Sequence, residues 1–436
     1  MILTADSLLQ ALQSVGAASS AQLQAALGAS QATVSRALAP LLQAGRVLRV
    51  GRGRNQVYLM PRTVNGTGPN TAIPITRVDT GGRLSLFATL VPVAGGRYWV
   101  DEEDGPKALH GGLPWFLSDM RPQGFLGRSF AQAHAALGLA PNPDHWNDDD
   151  VLKALCSAGE DLAGNLVIGH AAFERLQQLR VREVAEHDYP RLAEAALQGE
   201  LAGSSAGGQQ PKFCAVHGGQ PVIVKFSPAG DAPAAQRWRD LLVCEHLALQ
   251  ALAAGGIAAA QSRIVRRDDG AGRVFLELLR FDRTAAGRVG MVSLAAYDGE
   301  YVGQTDNWAN TAERMASRAL LPERDADSLR FLEAFGLLIG NTDRHYFNVS
   351  LLIDGAGNWS LAPAYDMLPM VYAPTAGELV ERTFNPASLG PPLQALRQWE
   401  PARVLAQRYW SAVAGDARIS EDFRQLAAAH AQALLA

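Results

Sequence analysis

The sequence predicts an α+β protein with a small N-terminal domain and a larger domain of two lobes. Three observations lead to this prediction. Three short amphipathic helices and two short strands fill residues 1–62, and a strand-rich stretch extends from there to residue 283. Residues 284–436 are mainly helical in pattern, and they contain a helix, a loop and a hairpin in direct succession. With 436 residues the chain is long enough for two or three domains.

The charged residues are unevenly distributed along the chain. The net charge is −4, yet residues 1–62 contain six arginines and a single acidic residue, Asp6. No apolar run approaches the roughly 20 residues that span a bilayer, and the N-terminus lacks the early basic residues of a signal peptide. Three widely spaced cysteines fit neither a disulfide framework nor a CxxC metal site. We therefore expect a cytoplasmic protein without a membrane partner.

The N-terminal 62 residues have the pattern of a winged helix-turn-helix domain. Residues 3–15 and 20–27 predict two helices, Ser30 is a suitable N-cap for a third, and two short strands flank a turn rich in glycine and arginine. A protein-protein module is the alternative, but the local positive charge favours double-stranded DNA, and paired half-sites would suit a homodimer. The candidate DNA-contacting residues are Gln31, Thr33, Ser35 and Arg36 on the third helix, and Arg52 and Arg54 in the turn.

The remainder of the chain is divided by composition. Residues 63–74 are rich in proline, glycine and asparagine and predict a linker. Residues 75–190 predict a subdomain with a small sheet, and its acidic run at 148–150 is expected to cap a helix. Residues 191–283 predict a strand-rich lobe and residues 284–436 a helical lobe.

The helical lobe contains one stretch with the pattern of a phosphoryl-transfer site. A buried helix is predicted to stop at Gly340, and the following loop carries Asp343 and Asn348 in the spacing D-x-x-x-x-N, as in a protein-kinase catalytic loop. A predicted hairpin then leads to Asp366, which brings all three side chains to one edge. Their oxygens suit Mg²⁺. The alternative is that Asp343 and Asn348 are ordinary turn residues.

The strand-rich lobe contains matching features. Residues 201–212 form a glycine-rich segment before a predicted hairpin, whose second strand carries Lys225 where a kinase lysine would meet ATP phosphates. Glu245, in the next predicted helix, is a candidate partner for Lys225, with an exposed glutamate as the alternative. A strand predicted at 273–279 leads towards a hinge of the kind that receives adenine. The loop alone could be a simple turn, but the order of these features is that of a two-lobed kinase.

These pieces resemble the HipA family of serine/threonine kinase toxins over about residues 75–430. The matching segments are GSSAGGQQPK, VIVKF, LLRFDR, LLIGNTDRHYFN and LAPAYDM. The resemblance implies ATP and Mg²⁺ as cofactors, Asp343 as catalytic base, Asn348 and Asp366 as metal ligands, and autophosphorylation of Ser204 or Ser205. The predicted nucleotide-contacting residues are Gly203, Ala206, Gly207, Gly208, Gln209, Lys225, Glu245, Glu277, Leu279 and His345.

The resemblance also implies partners. Members of the family act with a separate DNA-binding antitoxin and phosphorylate aminoacyl-tRNA synthetases, so a protein substrate of that class is expected, although this chain carries a DNA-binding head of its own. The role of Lys212 is left open. Two other functions remain: a transcription regulator whose kinase-like half senses nucleotide, or a metal-dependent nuclease in which Asp343, His345, Asn348 and Asp366 hold a metal beside bound DNA.

Overall fold

The N-terminal domain consists of three helices and a three-stranded antiparallel sheet, the elements expected of a winged helix. The computed structural model describes residues 3–51, 56–68, 71–179, 183–199, 208–266 and 272–435. Ser30 caps the third helix by accepting from the Thr33 amide, as predicted. The elements are α1 (Ala5–Val15), β1 (Ala17–Ser19), α2 (Ser20–Leu27), α3 (Gln31–Gln43), β2 (Leu48–Val50) and β3 (Val57–Leu59), with sheet order β1-β3-β2.

The middle unit is a five-stranded sheet covered by helices. Its strand order is β7-β6-β5-β4-β8, and all its pairs are antiparallel. The predicted acidic cap is present, because Asn147 and Asp150 form a capping box at the start of α5. The elements are β4 (Ile73–Val78), β5 (Leu84–Val93), β6 (Arg97–Glu102), β7 (Lys107–His110), α4 (Gly124–Ala133), α5 (Asp148–Ala158), β8 (Leu166–Ile168) and α6 (His170–Gln178).

The segment predicted as a linker is partly built into this unit. Ile73 and Pro74 belong to β4, and Val64 is buried in the same apolar core as the sheet. The prediction of a linker over 63–74 was therefore wrong at its C-terminal end, because composition reports turn residues but not the apolar side chains among them that reach a core.

The N-terminal domain packs against the middle sheet. Leu59 of β3 shares an apolar cluster with Val93 of β5 and Trp99 of β6. Arg97 donates a hydrogen bond of 2.6 Å to the Val15 carbonyl at the end of α1. Apolar burial and a charged hydrogen bond thus hold the two units together.

The strand-rich lobe is a four-stranded antiparallel sheet with one long helix. The sheet has the order β11-β12-β10-β9, and α8 packs on one face of it. The predicted hairpin, helix and strand are all present, and the helix begins earlier than predicted, with Pro233 in its first turn. The elements are α7 (Tyr189–Leu197), β9 (Lys212–His217), β10 (Gln220–Phe226), α8 (Pro233–Ala254), β11 (Ser262–Arg266) and β12 (Val274–Leu279).

The helical lobe shares its core with α8 and β12. Leu249 and Leu276 from the strand-rich lobe pack in one cluster with Phe335 and Trp410. No helix in the described part of the chain is both long and apolar enough to cross a bilayer. The elements are β13 (Gly290–Ser293), α9 (Leu294–Tyr301), α10 (Trp308–Ser317), α11 (Glu323–Leu338), β14 (Ser350–Ile353), β15 (Trp359–Leu361), α12 (Leu396–Gly415) and α13 (Glu421–Ala433).

Candidate active site

A buried ion pair joins the sheet and the helix of the strand-rich lobe. Lys225 Nζ lies 2.6 and 2.8 Å from the two carboxylate oxygens of Glu245. Side chains alternate along β10, so Val222 and Val224 enter the apolar cluster on one face while Lys225 points to the other, where α8 packs. The predicted pair therefore forms, and Glu245 is fully buried rather than a surface residue.

Asp366 brings a second carboxylate to the same ammonium. Its Oδ1 pairs with Lys225 Nζ, across the boundary between the two lobes. Asp366 has a φ of 54°, an uncommon conformation for a residue with a side chain, and Asn341 Nδ2 holds its carbonyl at 3.2 Å. The backbone is thus fixed so that the carboxylate faces the cleft.

The charges in this cluster stabilise one another. Burial would lower the pKa of Lys225, but Asp366 and Glu245 outweigh it and raise that pKa above its usual range. Burial would raise the pKa of Asp366, but Lys225 and Lys212 hold it below its usual range. Lys225 and Asp366 are therefore both charged at neutral pH.

The loop with the D-x-x-x-x-N spacing lies next to Asp366. Gly340, at φ 74°, ends the turn after α11, and the Asn341 side chain then accepts from the Asp343 amide at 3.0 Å. Asn348 Nδ2 donates to the Asp343 carbonyl at 2.8 Å. The Asp343 carboxylate remains 47% exposed, and His345 Nε2 lies 3.4 Å from its Oδ1. The carboxylate is thus positioned by its backbone yet accessible to a substrate.

The residues in the cleft fit Mg²⁺ and a triphosphate. Asn348 donates a hydrogen bond from Nδ2 to Asp343. Its Oδ1, which is the atom that a hard cation would bind, takes no part in that hydrogen bond. Mg²⁺ usually takes one or two protein carboxylates and completes its shell with phosphate oxygens and water. Among the described residues, no group of three His, Cys, Asp or Glu is placed to hold a metal.

Lys212 is a second lysine of this site whose role the sequence did not reveal. It is only 4% exposed, and it lies directly opposite Lys225 in the β9–β10 register. Its ammonium approaches Gly208 so closely that a Cβ there would lie 3.1 Å away. Burial is the main cause of a lowered pKa for Lys212. The sequence offered one indication that Lys212 belongs to the site: the chain has only four lysines, and two of them lie side by side in this cleft.

Asn341 is another residue that sequence reasoning did not single out for a role. It is completely buried and bonds to both the Asp343 amide and the Asp366 carbonyl. Its side chain therefore links the loop that carries Asp343 to the backbone of Asp366. An asparagine two residues before the aspartate was the only signal, and it is also a common turn residue.

The glycine-rich segment is only partly within the described residues. Gly208 has a φ of 93°, and its carbonyl accepts from the Phe125 amide at 3.0 Å, while Gln209 is exposed. The predicted contacts Gly203, Ala206 and Gly207 and the predicted phosphorylation sites Ser204 and Ser205 lie outside the described residues.

Two predicted nucleotide contacts are placed away from Lys225. Glu277 pairs with Val224 in the sheet, so its side chain shares the opposite face, where it accepts from Tyr189 and from Arg263. Leu279 packs on that same face, and its amide donates to the Gln261 carbonyl at 3.0 Å. Neither side chain therefore faces Lys225, because register, which the sequence does not show, decides the face, and a nucleotide contact through the backbone of these residues stays a prediction.

The predicted DNA-contacting residues of α3 lie at the surface. Gln31, Ser35 and Arg36 are exposed and Thr33 is half-buried, while Val34 and Leu38 point into the domain core. The predicted contacts Arg52 and Arg54 lie outside the described residues.

The sequence of this chain is similar to those of known proteins. A family model described as "HipA-like C-terminal domain" matches residues 204–433, and one described as "YjjJ-like toxin, middle domain" matches residues 69–177. The chain is 36% identical over 426 residues to Toxin YjjJ of Escherichia coli (strain K12), covering 94% of each protein.

A solved structure shares the fold. HipA of Shewanella oneidensis MR-1, determined with HipB and its operator DNA, matches with a TM-score of 0.55 and 16% identity, covering 83% of this chain and 96% of that one. The fold and the site thus define a protein with a HipA-like, two-lobed kinase-like C-terminal domain. Within that class, the chain belongs to the family of Toxin YjjJ.

Proposed function

We propose that this protein transfers the γ-phosphoryl group of ATP, with Mg²⁺, to a serine or threonine hydroxyl of a protein. One observation carries the proposal: Lys225 with Glu245, Asp366, and the Asp343–Asn348 loop converge on one cleft from two lobes. This is the set of parts that phosphoryl transfer requires in kinases, where catalysis depends on positioning and on electrostatic stabilisation.

Each residue has a separate task in this mechanism. Lys225, held by Glu245, binds the α- and β-phosphates, and Asn348 and Asp366 hold the metal. Mg²⁺, when bound, neutralises negative charge on the phosphate oxygens. Asp343 accepts the proton of the substrate hydroxyl, whose oxygen forms a bond to the γ-phosphorus. The bond from that phosphorus to the bridging oxygen breaks, and ADP leaves with the electron pair.

The proposal includes control of the kinase by its own product. A phosphate on Ser204 or Ser205 would add nearly two negative charges beside the triphosphate site and so oppose ATP binding. The relative Toxin YjjJ is called a toxin. By that likeness we propose that this chain is a toxin, and by the resemblance to the HipA family we propose an aminoacyl-tRNA synthetase as the substrate class and an antitoxin as its regulator.

The test is mass spectrometry of the purified protein after incubation with ATP and Mg²⁺. Trypsin cleavage after Arg191 and Lys212 releases the glycine-rich segment as one peptide. We expect phosphate on Ser204 or Ser205 of the wild type and at least about 10³-fold less in Asp343→Ala, because the catalytic base is lost. Asp354→Ala removes an exposed aspartate from the adjacent hairpin turn and should behave as the wild type.

Two results would contradict the kinase proposal. An unmodified peptide in a wild-type protein that binds ATP would favour a regulator that senses nucleotide without transferring phosphate. Equal phosphorylation of the wild type and Asp343→Ala would remove Asp343 from the mechanism. Mg²⁺-dependent nicking of DNA without ATP would instead support the nuclease hypothesis.

We also propose that the N-terminal domain binds double-stranded DNA through α3. The support is an exposed helix face with Gln31, Ser35 and Arg36 in a segment of net positive charge. Fluorescence anisotropy with DNA from upstream of the gene should show binding that weakens with salt. Arg36→Gln should weaken it by about 10-fold, and Arg397→Gln, an exposed arginine on α12, should not. Equal affinity for the two variants would rule out α3 as the contact.

A further inference from the structure

A cavity of about 470 Å³ lies at one end of the strand-rich lobe. Its lining residues are far from Asp343 in the sequence. It is formed by the first turns of α8, the ends of β11 and β12, and the segment before α13. It shares no lining residue with the Lys225 site. The charged and polar residues that line it include Arg239, Arg266, Arg273, Arg418, Asp231 and Ser420.

Two of the four arginines are already paired with acids. Arg418 binds Asp416 at 2.6 Å, and Arg273 binds Glu194 at 2.6 Å. Asp231 adds one opposing charge on the cavity wall. These groups reduce the positive charge of the cavity, which leaves Arg239 and Arg266 as its main source of positive charge.

Arg239 and Arg266 have no ion pair with any carboxylate among the described residues. Arg239, which is 8% exposed, donates to the carbonyls of Gly230 at 2.8 Å and Gly272 at 3.1 Å. Arg266 donates to the carbonyl of Arg418. Their two positive charges are therefore held in place by neutral acceptors, and carbonyl oxygens do not cancel a net charge.

Arg273 provides an independent observation. It is 5% exposed, and its buried Nε has no hydrogen-bond partner within the described part of the chain. Partial burial lowers the pKa of Arg266 and the neighbouring charge of Arg418 lowers it further, while the carboxylates of Asp416 and Asp240 offset part of that shift. An anion in the cavity would relieve the repulsion between these guanidinium groups.

We propose that this cavity binds a small molecule that carries a phosphate group. Guanidinium groups match the geometry of phosphate oxygens, and the cavity lies within the range of about 300–1,000 Å³ that is typical of small-molecule sites. Val274 and Ile419 supply apolar surface for the rest of the ligand. Arg239 precedes Glu245 by six residues on α8, so the ligand contacts the helix that positions the partner of Lys225.

The test measures binding of inorganic phosphate and of ribose 5-phosphate by equilibrium dialysis. Arg266 is exposed, so Arg266→Gln should fold normally, and it should bind ribose 5-phosphate at least about 10-fold more weakly than the wild type. Arg324→Gln, which removes an arginine that is 83% exposed on α11, should bind as the wild type does. Lys225→Met should also retain binding, because this cavity is separate from the catalytic cleft.

The two probes distinguish the sources of the phosphate. Tighter binding of ribose 5-phosphate than of inorganic phosphate supports an organic ligand that uses the apolar wall, and equal binding supports a site for phosphate alone. Equal affinity of the wild type and Arg266→Gln for both probes would overturn the proposal. So would loss of binding in Lys225→Met with retention in Arg266→Gln, because the phosphate would then occupy the catalytic cleft.

Discussion

The molecule contains two buried ionic clusters of similar composition that serve different purposes. In the cleft, Lys225 is 6% exposed and pairs with Glu245 and Asp366. At the end of β12, Asp282 is also 6% exposed and is bound by Arg280 at 2.9 Å and Arg283 at 2.8 Å. Each cluster contains a group with a strongly shifted pKa. The two carboxylates raise the pKa of Lys225, and Arg280 and Arg283 lower the pKa of Asp282, in both cases against the effect of burial.

The difference lies in what else the charged groups bind. Asp282 also accepts from the Gly164 amide at 3.1 Å, and Arg283 donates to the Leu162 carbonyl at 2.7 Å, so this cluster fastens the middle unit to the kinase-like domain. In the cleft, Asp366 is 23% exposed, and in the proposed mechanism it would exchange Lys225 for a metal. A perturbed pKa identifies a buried charge, but only access and exchangeable partners identify a site of chemistry.

Asp282→Asn should have the largest effect on stability, because it removes a buried charge that binds arginines and a backbone amide. Arg280 and Arg283 would lose one of the two aspartates that they share, the other being Asp161, and we expect the free energy of unfolding to fall by about 3 kcal/mol. Chemical denaturation measures that loss. Kinase activity per folded molecule should stay within about 3-fold of the wild type, because Asp282 does not contact Lys225 or Asp366.

The pH dependence provides a control for this prediction. The folded pKa of Asp282 is lower than the unfolded value of about 3.9, so the unfolded chain binds more protons in between and stability rises with pH there. The difference in stability between the wild type and Asp282→Asn should therefore be complete above about pH 5 and shrink as the pH falls through 4. A constant difference would mean that packing, not charge, makes the contribution.

The sequence was sufficient for the features that depend on local pattern. The strand VIVKF was sufficient to predict that Lys225 faces the cleft, and Gly340 marked the end of α11. Features that depend on register could not be predicted. The sequence does not show that Lys225 lies opposite Leu276, and this pairing puts Glu277 on the other face of the sheet. The strand β1 has only three residues, too few for a pattern.

Contacts between distant segments were the other limit. The arginines of the cavity beside α8 are 179 positions apart at their extremes, from Arg239 to Arg418, and no local spacing connects them. Asn341 could be seen only as a turn residue until the structure showed that it bonds to Asp366 as well as to Asp343. Such residues become visible only when the tertiary fold brings their partners together.

Lys212 is a further buried charge, and its variants can show whether it acts in the cleft, as Lys225 is proposed to do, or only holds structure, as Asp282 does. It lies opposite Lys225 and beneath Gly208, so we propose that its ammonium contacts the phosphates of ATP. Lys212→Met should lower kcat/KM for ATP by about 10²-fold, with much of the loss in kcat. Lys107→Met, which removes an ammonium paired with Asp101 on the middle sheet, should not alter either constant.

The alternative is that Lys212, like Asp282, only holds structure. In that case Lys212→Met would lower the free energy of unfolding and leave kcat and KM of the folded fraction unchanged. Lys212→Arg separates the two cases further, because it keeps the charge but places a larger, planar group beneath Gly208. Retained stability with reduced kcat in that variant would assign Lys212 to the cleft, since only phosphoryl transfer depends on where the charge lies to within about 1 Å.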